Sequence, residues 1–269
     1  MKKTTKIALA ACSALVVAAG VACYAVYQKI FSPNIFVRDA KYLYIPRDAD
    51  FKQVADSLYA NFRVGDKAML EQLAGWKGYP QRIRPGRYLI QDGMSNNALI
   101  NMLRSGNQAP VNVTFNNVRT LEQLAGKVAA RIDVDSAHLL SLLRSDEYMS
   151  QYGYDSRTCF AMFIPDTYEM YWSSTAEKFI ARMSDCCKQF WTESRLSKAK
   201  ELGLTPLQVS TLASIVQCEQ SAHRDEQPRI AGLYINRLRQ GIALQSDPTV
   251  VFACQKWGVR RVTNAMLEV

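Results

Sequence analysis

The sequence predicts an α+β protein with a single apolar helix at its N-terminus. Residues 7–27 contain no charged side chain, strand-like and helix-like segments alternate through the first half, and the pattern from about residue 156 onward is mostly helical. The chain has 269 residues, of which 48% are hydrophobic and 21% are charged. This length and composition fit one large folded domain or two modest ones.

The N-terminal apolar segment predicts a single-pass membrane anchor. Residues 7–27 are long enough to cross a hydrocarbon core about 30 Å thick. Three lysines precede them, so the positive-inside rule places residues 1–6 in the cytoplasm and the part of the chain after the anchor on the extracytoplasmic side of the cell (inner) membrane. A cleaved signal peptide and a lipoprotein signal at Cys12 are the alternatives, but the apolar run is long for a signal peptide and continues well beyond Cys12. We expect an uncleaved anchor, followed by a linker over residues 28–40.

Two strand–helix units with similar patterns follow the anchor. Residues 42–45 and 111–115 alternate as strands do, and a helix with a capping signal follows each of them, at Asp50 and at Thr120. The similarity predicts two related small modules, although amphipathic helices also resemble one another by chance.

Further elements are predicted between these units and after them. Residues 84–90 form a turn into a strand, and the helix that follows is capped by Ser95 and ended by Gly106. In the second half, residues 163–168 are expected to form a loop, and a long amphipathic helix is expected from about residue 175 to 195.

Charge and cysteine content exclude several classes of function. The formal net charge of +9 favours anionic partners, but no basic run with interleaved aromatic residues and no nucleic-acid motif is present, so no nucleic-acid partner is expected. The chain has seven cysteines and two histidines, with no C-x-x-C pair and an odd number of cysteines after the anchor. We therefore expect no disulfide framework, no metal site and no cofactor. Cys218 beside Glu219 would lie about 100° away from it on a helix, which disfavours a cysteine nucleophile.

Glu219 is the candidate catalytic residue. A capping box at Thr205 opens a helix on which Glu219 shares one face with three apolar residues, Leu212, Ile215 and Val216. A carboxylate on an apolar face would be partly desolvated, which favours its protonated form, the usual proton donor in glycosidic bond cleavage. The alternative is a glutamate at the helix end that tips into solvent. His223 is a candidate partner for Glu219, or a surface residue beyond the helix.

A second helix and a polar segment follow Glu219. The helix starts at Asp225 or Gln227, with Pro228 in its first turn, and Gly241 is its left-handed stop. Its apolar stripe is expected to contain Ile230, Leu233, Tyr234 and Leu238.

The polar residues of this region are candidates for binding a sugar. The substrate-binding candidates are Asn236, Arg237, Gln245, Ser246, Asp247 and Thr249. Helix capping and loop support are the alternative roles for Asn236, Gln245 and Ser246. Arg237 could bind carboxylates of the substrate or pair with Asp247. Asp247 also fits the N-cap of a short helix with Pro248 in its first turn.

Several motifs together resemble the endolytic murein transglycosylases, the YceG-like family of membrane-anchored peptidoglycan enzymes. They are Ala213-Ser214-Ile215-Val216-x-x-Glu219, Asn236-Arg237-Leu238, Leu244-Gln245-Ser246-Asp247-Pro248-Thr249, Pro165-Asp166-Thr167-Tyr168 and Pro85-Gly86-Arg87-Tyr88. The resemblance implies a LysM-like module over residues 41–108, a second strand–helix unit over 109–155, and a mainly helical, lysozyme-like catalytic domain over 156–269.

The resemblance also implies a reaction. Family members cut nascent glycan strands internally between N-acetylmuramic acid and N-acetylglucosamine, and they form a 1,6-anhydro end without consuming water. The second Glu of a Glu-x-Glu pair is their catalytic residue, which corresponds to Glu219 here, while Gln217 stands at the first position. Peptidoglycan glycan strands are the implied partner, with peptidoglycan synthases as further candidates.

The chain departs from the family at its C-terminal end, and two alternative functions are considered. The family continues with Tyr-Asn-Thr-Tyr and Gly-Leu-Pro-Pro-Gly segments that this chain lacks before Val269, so we expect a catalytic domain that is incomplete at its C-terminal end. A hydrolase that uses Asp225, Glu226 or Asp247 as a second carboxylate is one alternative function. A non-catalytic glycan-binding scaffold is the other.

Overall fold

The structure, a computed structural model, describes residues 3–38, 41–116, 118–259 and 261–268. The chain divides into two compact units. The first contains residues 1–140 and 165–176, and the second contains residues 141–164 and 177–269. The predicted mixture of helices and strands is confirmed. The domain boundaries expected near residues 41, 109 and 156 stay predictions.

Helix α1, Lys3–Phe31, contains the predicted anchor segment. Within the described part of the chain, α1 is the single helix that is long and apolar enough to cross a membrane, and none of its apolar stretch Cys12–Phe31 is buried. The apolar side chains of this stretch therefore have no protein core to cover them.

Besides α1, the described residues of the first unit form three small antiparallel sheets and four complete helices. Strand β1 is Pro33–Val37, β2 is Tyr42–Ile45, β3 is Phe62–Val64, β4 is Gly86–Leu89, β5 is Met94–Ser95, β6 is Pro110–Phe115 and β7 is Asp166–Tyr171. The helices are α2 (Phe51–Asn61), α3 (Lys67–Trp76), α4 (Asn96–Ser105) and α5 (Leu121–Ala129). The sheet orders are β3-β1-β5, β2-β4 and β6-β7.

Strand β1 lies inside the segment that the sequence predicted as a linker. It pairs on one side with β3 and on the other with β5, so it is the central strand of its sheet. Ile35 on β1 is fully buried in the core of the first unit. The segment directly after α1 is therefore part of the folded unit rather than a free connection; residues 39 and 40 lie outside the described residues.

A buried amide network joins the end of α1 to this unit. The Asn34 side chain donates to Asn96 Oδ1 (2.7 Å) and to the Asp66 carbonyl (3.2 Å), and it accepts from the Asp66 amide (2.6 Å). Asn96 in turn donates to the Lys29 carbonyl (3.0 Å), and Lys29 Nζ lies 3.0 Å from Asp66 Oδ2. The Met69 amide, followed by the Lys29 ammonium, holds the pKa of Asp66 below its usual range.

The capping signals of the first unit are confirmed. Asp50 forms a reciprocal capping box with Gln53, and Ser95 and Thr120 accept from backbone amides at the starts of α4 and α5. Gly106 ends α4 with a φ of 73°. These signals were predictable because each depends on residues three or four positions apart.

The segment 163–168 differs from its predicted loop. Residues 166–171 form β7, which pairs antiparallel with β6 over its whole length. Tyr168 and Met170 are buried while Thr167 and Glu169 are exposed, which is the alternation of a half-buried strand. Pro165 and Asp166 suggested a turn, and they mark the start of the strand instead.

Among the described residues, seven helices belong wholly or partly to the second unit. They are α6 (Ser136–Leu143), α7 (Asp146–Ser150), α8 (Ala176–Phe190), α9 (Glu193–Glu201), α10 (Pro206–Glu219), α11 (Gln227–Arg239) and α12 (Asp247–Ala253). Short 3₁₀ segments lie at Cys159–Met162 and Asn264–Met266. The single helix predicted for residues 175–195 is wrong, because the Thr192 side chain accepts from the Arg195 amide and starts a new helix, α9.

Helices α10 and α11 pack through a small core. Leu212, Val216 and Tyr234 are its buried members, with Ile230 and Ile235 packed against them. The predicted stripe of α11 is confirmed at Tyr234 and Ile230. It is wrong at Leu233 and Leu238, which are 54% and 48% exposed. The face that meets α10 is centred on Tyr234 and Ile230, and Leu233 and Leu238 lie outside it.

Candidate active site

Glu219 is the last residue of α10. The capping box of Thr205 and Gln208 that opens this helix is confirmed, and Leu212 and Val216 are buried as expected. Glu219 itself is exposed. Of the two alternatives, the glutamate at the helix end that faces solvent is confirmed and the desolvated carboxylate is not, because α10 ends at this residue and the apolar face of the helix stops one turn earlier, at Val216.

Ser246 is the side-chain partner of Glu219. Its hydroxyl donates to Glu219 Oε2 at 3.0 Å, and Ser246 is only 1% exposed. Ser246 also occupies the N-cap position of α12, but its side chain makes no capping hydrogen bond there. Asp247 is the first residue of the helix and not its N-cap, which corrects the predicted role. The buried hydroxyl is thus directed at the carboxylate rather than at its own helix.

Backbone and side-chain contacts fix Ser246 in place. Its carbonyl accepts hydrogen bonds from the Thr249 amide (3.1 Å) and the Thr249 hydroxyl (2.6 Å). The residue before it, Gln245, has a φ of 53°, in the left-handed region that non-glycine residues seldom adopt. Surrounding contacts must hold such a backbone conformation in place.

Arg237 supplies those contacts. Its Nε donates to the Ala243 carbonyl at 2.8 Å, and its Nη2 donates to Gln245 Oε1 at 2.5 Å. The Arg237 carbonyl accepts from the Ile242 amide at 2.9 Å. Among the described residues, no ion pair joins Arg237 to Asp247, so that alternative is not found. The guanidinium holds the loop that carries Ser246 to Glu219.

The turn between α10 and α11 depends on two glutamines that the sequence interpretation missed. Gln220 Nε2 donates to Glu226 Oε2 (2.7 Å), and Gln220 Oε1 accepts from the Ala222 and His223 amides (3.2 and 3.1 Å). Gln227 Nε2 donates to the Gln220 carbonyl at 2.8 Å. The signal available in the sequence was a helix-ending glutamine followed by small and polar residues. His223 contributes a backbone contact to this turn, whereas the side-chain contact that the structure describes for Glu219 is with Ser246.

The remaining candidates lie on the exposed surface of the same region. Asn236, Gln245 and Asp247 are exposed, and Thr249 is half-buried. Within residues 118–259, the hydrogen bonds described above connect Glu219 to Ser246 and Thr249, and Arg237 to Gln245. Neither the Asn236 nor the Asp247 side chain takes part in these hydrogen bonds.

The titratable groups near Glu219 offer few further partners for chemistry. Asp225 and Glu226 are exposed, and Glu226 is engaged by Gln220. Throughout the described ranges, no group of three or more His, Cys, Asp or Glu side chains lies close enough to hold a metal ion. All seven cysteines are free thiols; burial raises the pKa of Cys159 to about 11, and Cys218 is exposed.

The arrangement suits proton transfer by a single carboxyl group. One oxygen of Glu219 is fixed by the Ser246 hydroxyl, and the exposed side chain leaves the carboxyl accessible to a ligand. A hydroxyl can donate to a carboxylate and can accept from a carboxylic acid. Ser246 can therefore orient Glu219 in both protonation states, which a group that acts first as acid and then as base requires.

Comparisons of the sequence with known proteins agree on one family. The model of the YceG-like family matches residues 43–269. The endolytic murein transglycosylase of Bacillus subtilis is 21% identical over 227 residues, which cover 79% of this chain and 62% of that relative. The endolytic murein transglycosylase of Streptococcus pneumoniae serotype 2 is 25% identical over 240 residues, which cover 80% of this chain and 43% of the relative. The chain thus spans less than two thirds of the length of these curated relatives.

A solved structure has the same fold. The crystal structure of a yceG-like protein from Listeria monocytogenes matches with a TM-score of 0.52, over 85% of this chain and 79% of that one. The two sequences are 19% identical, so the likeness concerns the fold alone.

Proposed function

This chain belongs to the YceG-like family, and from that premise we propose that it is a membrane-anchored endolytic lytic transglycosylase that acts on nascent peptidoglycan glycan strands. Its relatives in Bacillus subtilis and Streptococcus pneumoniae are endolytic murein transglycosylases, which supports activity on murein. The observation that supports the chemistry most directly is the Glu219 carboxylate, which the buried Ser246 hydroxyl holds at 3.0 Å.

A single carboxyl group is sufficient for this reaction. Glu219, as the acid, protonates the glycosidic oxygen between N-acetylmuramic acid and N-acetylglucosamine, and the bond from C1 to that oxygen breaks. The resulting carboxylate takes the proton from the 6-hydroxyl of the muramic acid while O6 bonds to C1. The products are a free 4-hydroxyl and a 1,6-anhydro end, and no water is consumed. A hydrolase would need a second carboxylate instead.

The other polar residues have proposed roles around this centre. Exposed Asn236 and Asp247 are available for sugar hydroxyls and N-acetyl groups, and Thr249 supports the carbonyl of Ser246. Arg237 and Gln245 fix each other in the loop before Ser246. We propose substrate contacts for this whole set, with Arg237 and Ser246 acting mainly as positioning residues.

The rest of the chain is proposed to keep the catalytic unit near newly made glycan. In this proposal α1 spans the cell membrane with residues 1–6 in the cytoplasm, and its apolar stretch Cys12–Phe31 supports that role. Residues 41–108 form a LysM-like module, which the antiparallel β2–β4 pair with α2 and α3 between its strands supports. The second unit corresponds to the lysozyme-like catalytic part, and peptidoglycan synthases are candidate partners.

The ends of the cleavage products test this proposal. The full chain in detergent is incubated with uncrosslinked glycan strands, and the new ends are identified by mass spectrometry. We expect 1,6-anhydro ends at internal cleavage sites. Reducing ends would contradict the lyase and favour a hydrolase that uses Asp225, Glu226 or Asp247. Binding without any cleavage would favour the scaffold.

The Ser246→Ala variant should cleave roughly 10- to 100-fold more slowly than the parent chain. It removes one hydrogen bond to a charged group, and such bonds contribute about 1.5–3 kcal/mol. Because Ser246 acts through Glu219, the pH dependence of the cleavage rate should also change, a change that a purely structural role would not produce. Ser246→Thr, which keeps a hydroxyl, should restore part of the rate. Equal rates and pH profiles for the alanine variant and the parent would contradict this role.

The Arg237→Lys variant should lose about tenfold in cleavage rate and little in stability. A lysine keeps the charge but cannot donate in two fixed directions to the Ala243 carbonyl and to Gln245. The loop would then hold Ser246 less firmly. Arg239→Lys is the matched control, because Arg239 is exposed in the last turn of the same helix. A control that loses as much activity as Arg237→Lys would contradict the positioning role of Arg237.

A further inference from the structure

The first unit contains an open groove of about 550 Å³ that the proposed active site does not use. It is lined by residues of strands β2, β4, β6 and β7 and by the residues that directly follow α5 and β7. The lining side chains that matter here are Tyr44, Arg87, Asn112, Arg131, Glu169 and Trp172, and we call this the Trp172 groove. Its volume lies within the roughly 300–1,000 Å³ that is usual for small-ligand sites.

Two aromatic rings meet at the Trp172 groove. The Tyr44 and Trp172 ring centroids are 5.2 Å apart, with an interplanar angle of 73°. Tyr44 is 44% exposed although it lies on a strand that is otherwise buried at Leu43 and Ile45. Aromatic rings combine an apolar face with a polar tip, so they are favoured where a surface binds amphipathic ligands.

Three hydrogen bonds position the segment that carries Trp172. Arg47 Nη2 donates to the Ser173 carbonyl at 2.8 Å, and the Trp172 carbonyl accepts from the Asp133 amide at 2.7 Å. Ser173 Oγ donates to Gln108 Oε1 at 3.0 Å. The segment that carries the indole is therefore fixed from three parts of the first unit before any ligand arrives.

Arg87 is part of the same framework. Its guanidinium lies 4.1 Å from the Tyr42 ring centroid, and it donates to the carbonyls of Ala109 and Pro110. On the neighbouring strand, Tyr44 stands directly opposite Arg87. These contacts connect the β2–β4 pair to the start of β6, so they join the Tyr44 side of the groove to its β6 side.

Polar side chains complete the lining. Asn112 and Glu169 are directly opposite each other in the β6–β7 pair, and both are exposed. Arg131 follows α5 and is also exposed. An amide, a carboxylate and a guanidinium together offer donors and acceptors in several directions, which suits a ligand with many hydroxyl and amide groups and one apolar face.

We propose that the Trp172 groove is a second glycan-binding site, which takes a short segment of an N-acetylated saccharide chain. The apolar face of a sugar ring lies on Trp172 and Tyr44, and Asn112, Glu169 and Arg131 hydrogen-bond its hydroxyl and N-acetyl groups. That the saccharide is a peptidoglycan glycan strand rests on the proposed function. The site lets the chain retain a strand through the first unit, independently of the Glu219 carboxylate.

Binding measurements on an inactive full chain test the proposal. In the Glu219→Gln background and in detergent, uncrosslinked glycan strands and the N-acetylglucosamine tetramer are titrated while tryptophan fluorescence is recorded. Trp172→Ala should weaken binding by about tenfold or more, equivalent to about 1.4 kcal/mol. Trp76→Ala is the matched control, because Trp76 is a 61% exposed tryptophan of the same unit outside the groove, and it should leave the affinity unchanged.

A second variant separates binding from folding. Asn112→Ala replaces an exposed strand residue, so the fold should persist, and the affinity should still fall several-fold. Trp172→Phe should remove the ligand-induced fluorescence change, whereas Trp76→Phe should keep it. If both Trp172→Ala and Asn112→Ala bind the two probes as well as the parent, the Trp172 groove is not a glycan site.

The test of the Trp172 groove can fail or succeed independently of the test of the proposed reaction. Formation of 1,6-anhydro ends by the Glu219-containing chain, together with unchanged binding by the groove variants, overturns only the Trp172 groove. Binding that depends on Trp172 without any anhydro product supports the groove and overturns the proposed reaction. Absence of binding to either probe by the inactive parent also overturns the groove, and the cleavage assay still decides the reaction.

Discussion

Replacing Glu219 with Gln should lower the rate of glycan-strand cleavage by about 10²- to 10⁴-fold, the range that a positioned general acid–base contributes. Glutamine has the same length and can still accept a hydrogen bond from Ser246, but it cannot give a proton to the glycosidic oxygen. The measurement is the initial rate of formation of 1,6-anhydro ends by the full chain in detergent. Because Glu219 is exposed at the end of α10, the free energy of unfolding should change by no more than about 0.5 kcal/mol.

A matched control is available six residues further along the chain. Asp225→Asn also replaces an exposed carboxylate with its amide, in the turn that follows α10, and it should cleave at nearly the parental rate. Cleavage by Glu219→Gln at the parental rate would contradict the role of Glu219. Loss of activity in Asp225→Asn together with Glu219→Gln would instead indicate a two-carboxylate mechanism.

The parts of the site that the sequence predicted are those that depend on neighbours in the chain. The capping box at Thr205, the helix to Glu219 and the left-handed Gly241 after α11 all follow from residues a few positions apart. Local hydrogen-bonding patterns leave a signature in the sequence, so the two helices around the candidate site could be placed to within one or two residues.

The contact between Ser246 and Glu219 left no such signature. The two residues are separated by 27 positions, and only the packing of α10, α11 and α12 decides that they meet. The exposure of Glu219 could not be predicted for a similar reason. Helical spacing shows on which face of the helix a residue lies, but not whether another element covers that face. The polar segment 244–249 could be recognised as a candidate site from the sequence. That Ser246 contacts Glu219, and that Arg237 of α11 supports the loop before Ser246, could be seen only in the fold.

The same limit applies to the first unit. Pro33–Val37 follows an apolar helix and contains a proline, which predicted a connection, and its two pairing partners come from 25 or more residues away along the chain. Strand β7 was likewise not predicted. Pro165 suggested a turn, and the partner strand β6 lies about 50 residues earlier in the chain. Pairing between distant segments depends on the folded sheet, which a local pattern does not encode.

The buried network around Asn34 should contribute substantially to the stability of the first unit. Asn34 is 7% exposed and makes three hydrogen bonds, two with the backbone of Asp66 and one with Asn96. Asn34→Ala would leave the Asp66 amide and Asn96 Oδ1 without these partners. Each buried polar group that loses its partner costs about 1–3 kcal/mol, so we expect a loss of about 2–4 kcal/mol in the free energy of unfolding, measured by urea denaturation of the full chain in detergent.

The control for Asn34→Ala and its consequence for α1 follow from the same contacts. Asn101→Ala replaces an exposed asparagine on α4 whose Oδ1 accepts from Lys77 Nζ at 2.7 Å. Because that contact is exposed to solvent, stability should change by no more than about 1 kcal/mol. Asn96 donates to the Lys29 carbonyl, and Asp66 pairs with Lys29, so loss of Asn34 should also loosen the end of α1. Hydrogen exchange of the Asp66 and Gly65 amides should then accelerate in Asn34→Ala and not in Asn101→Ala. Equal stability and equal exchange in the two variants would mean that the network does not hold α1 to the first unit, and that the adjoining sheet alone carries the connection.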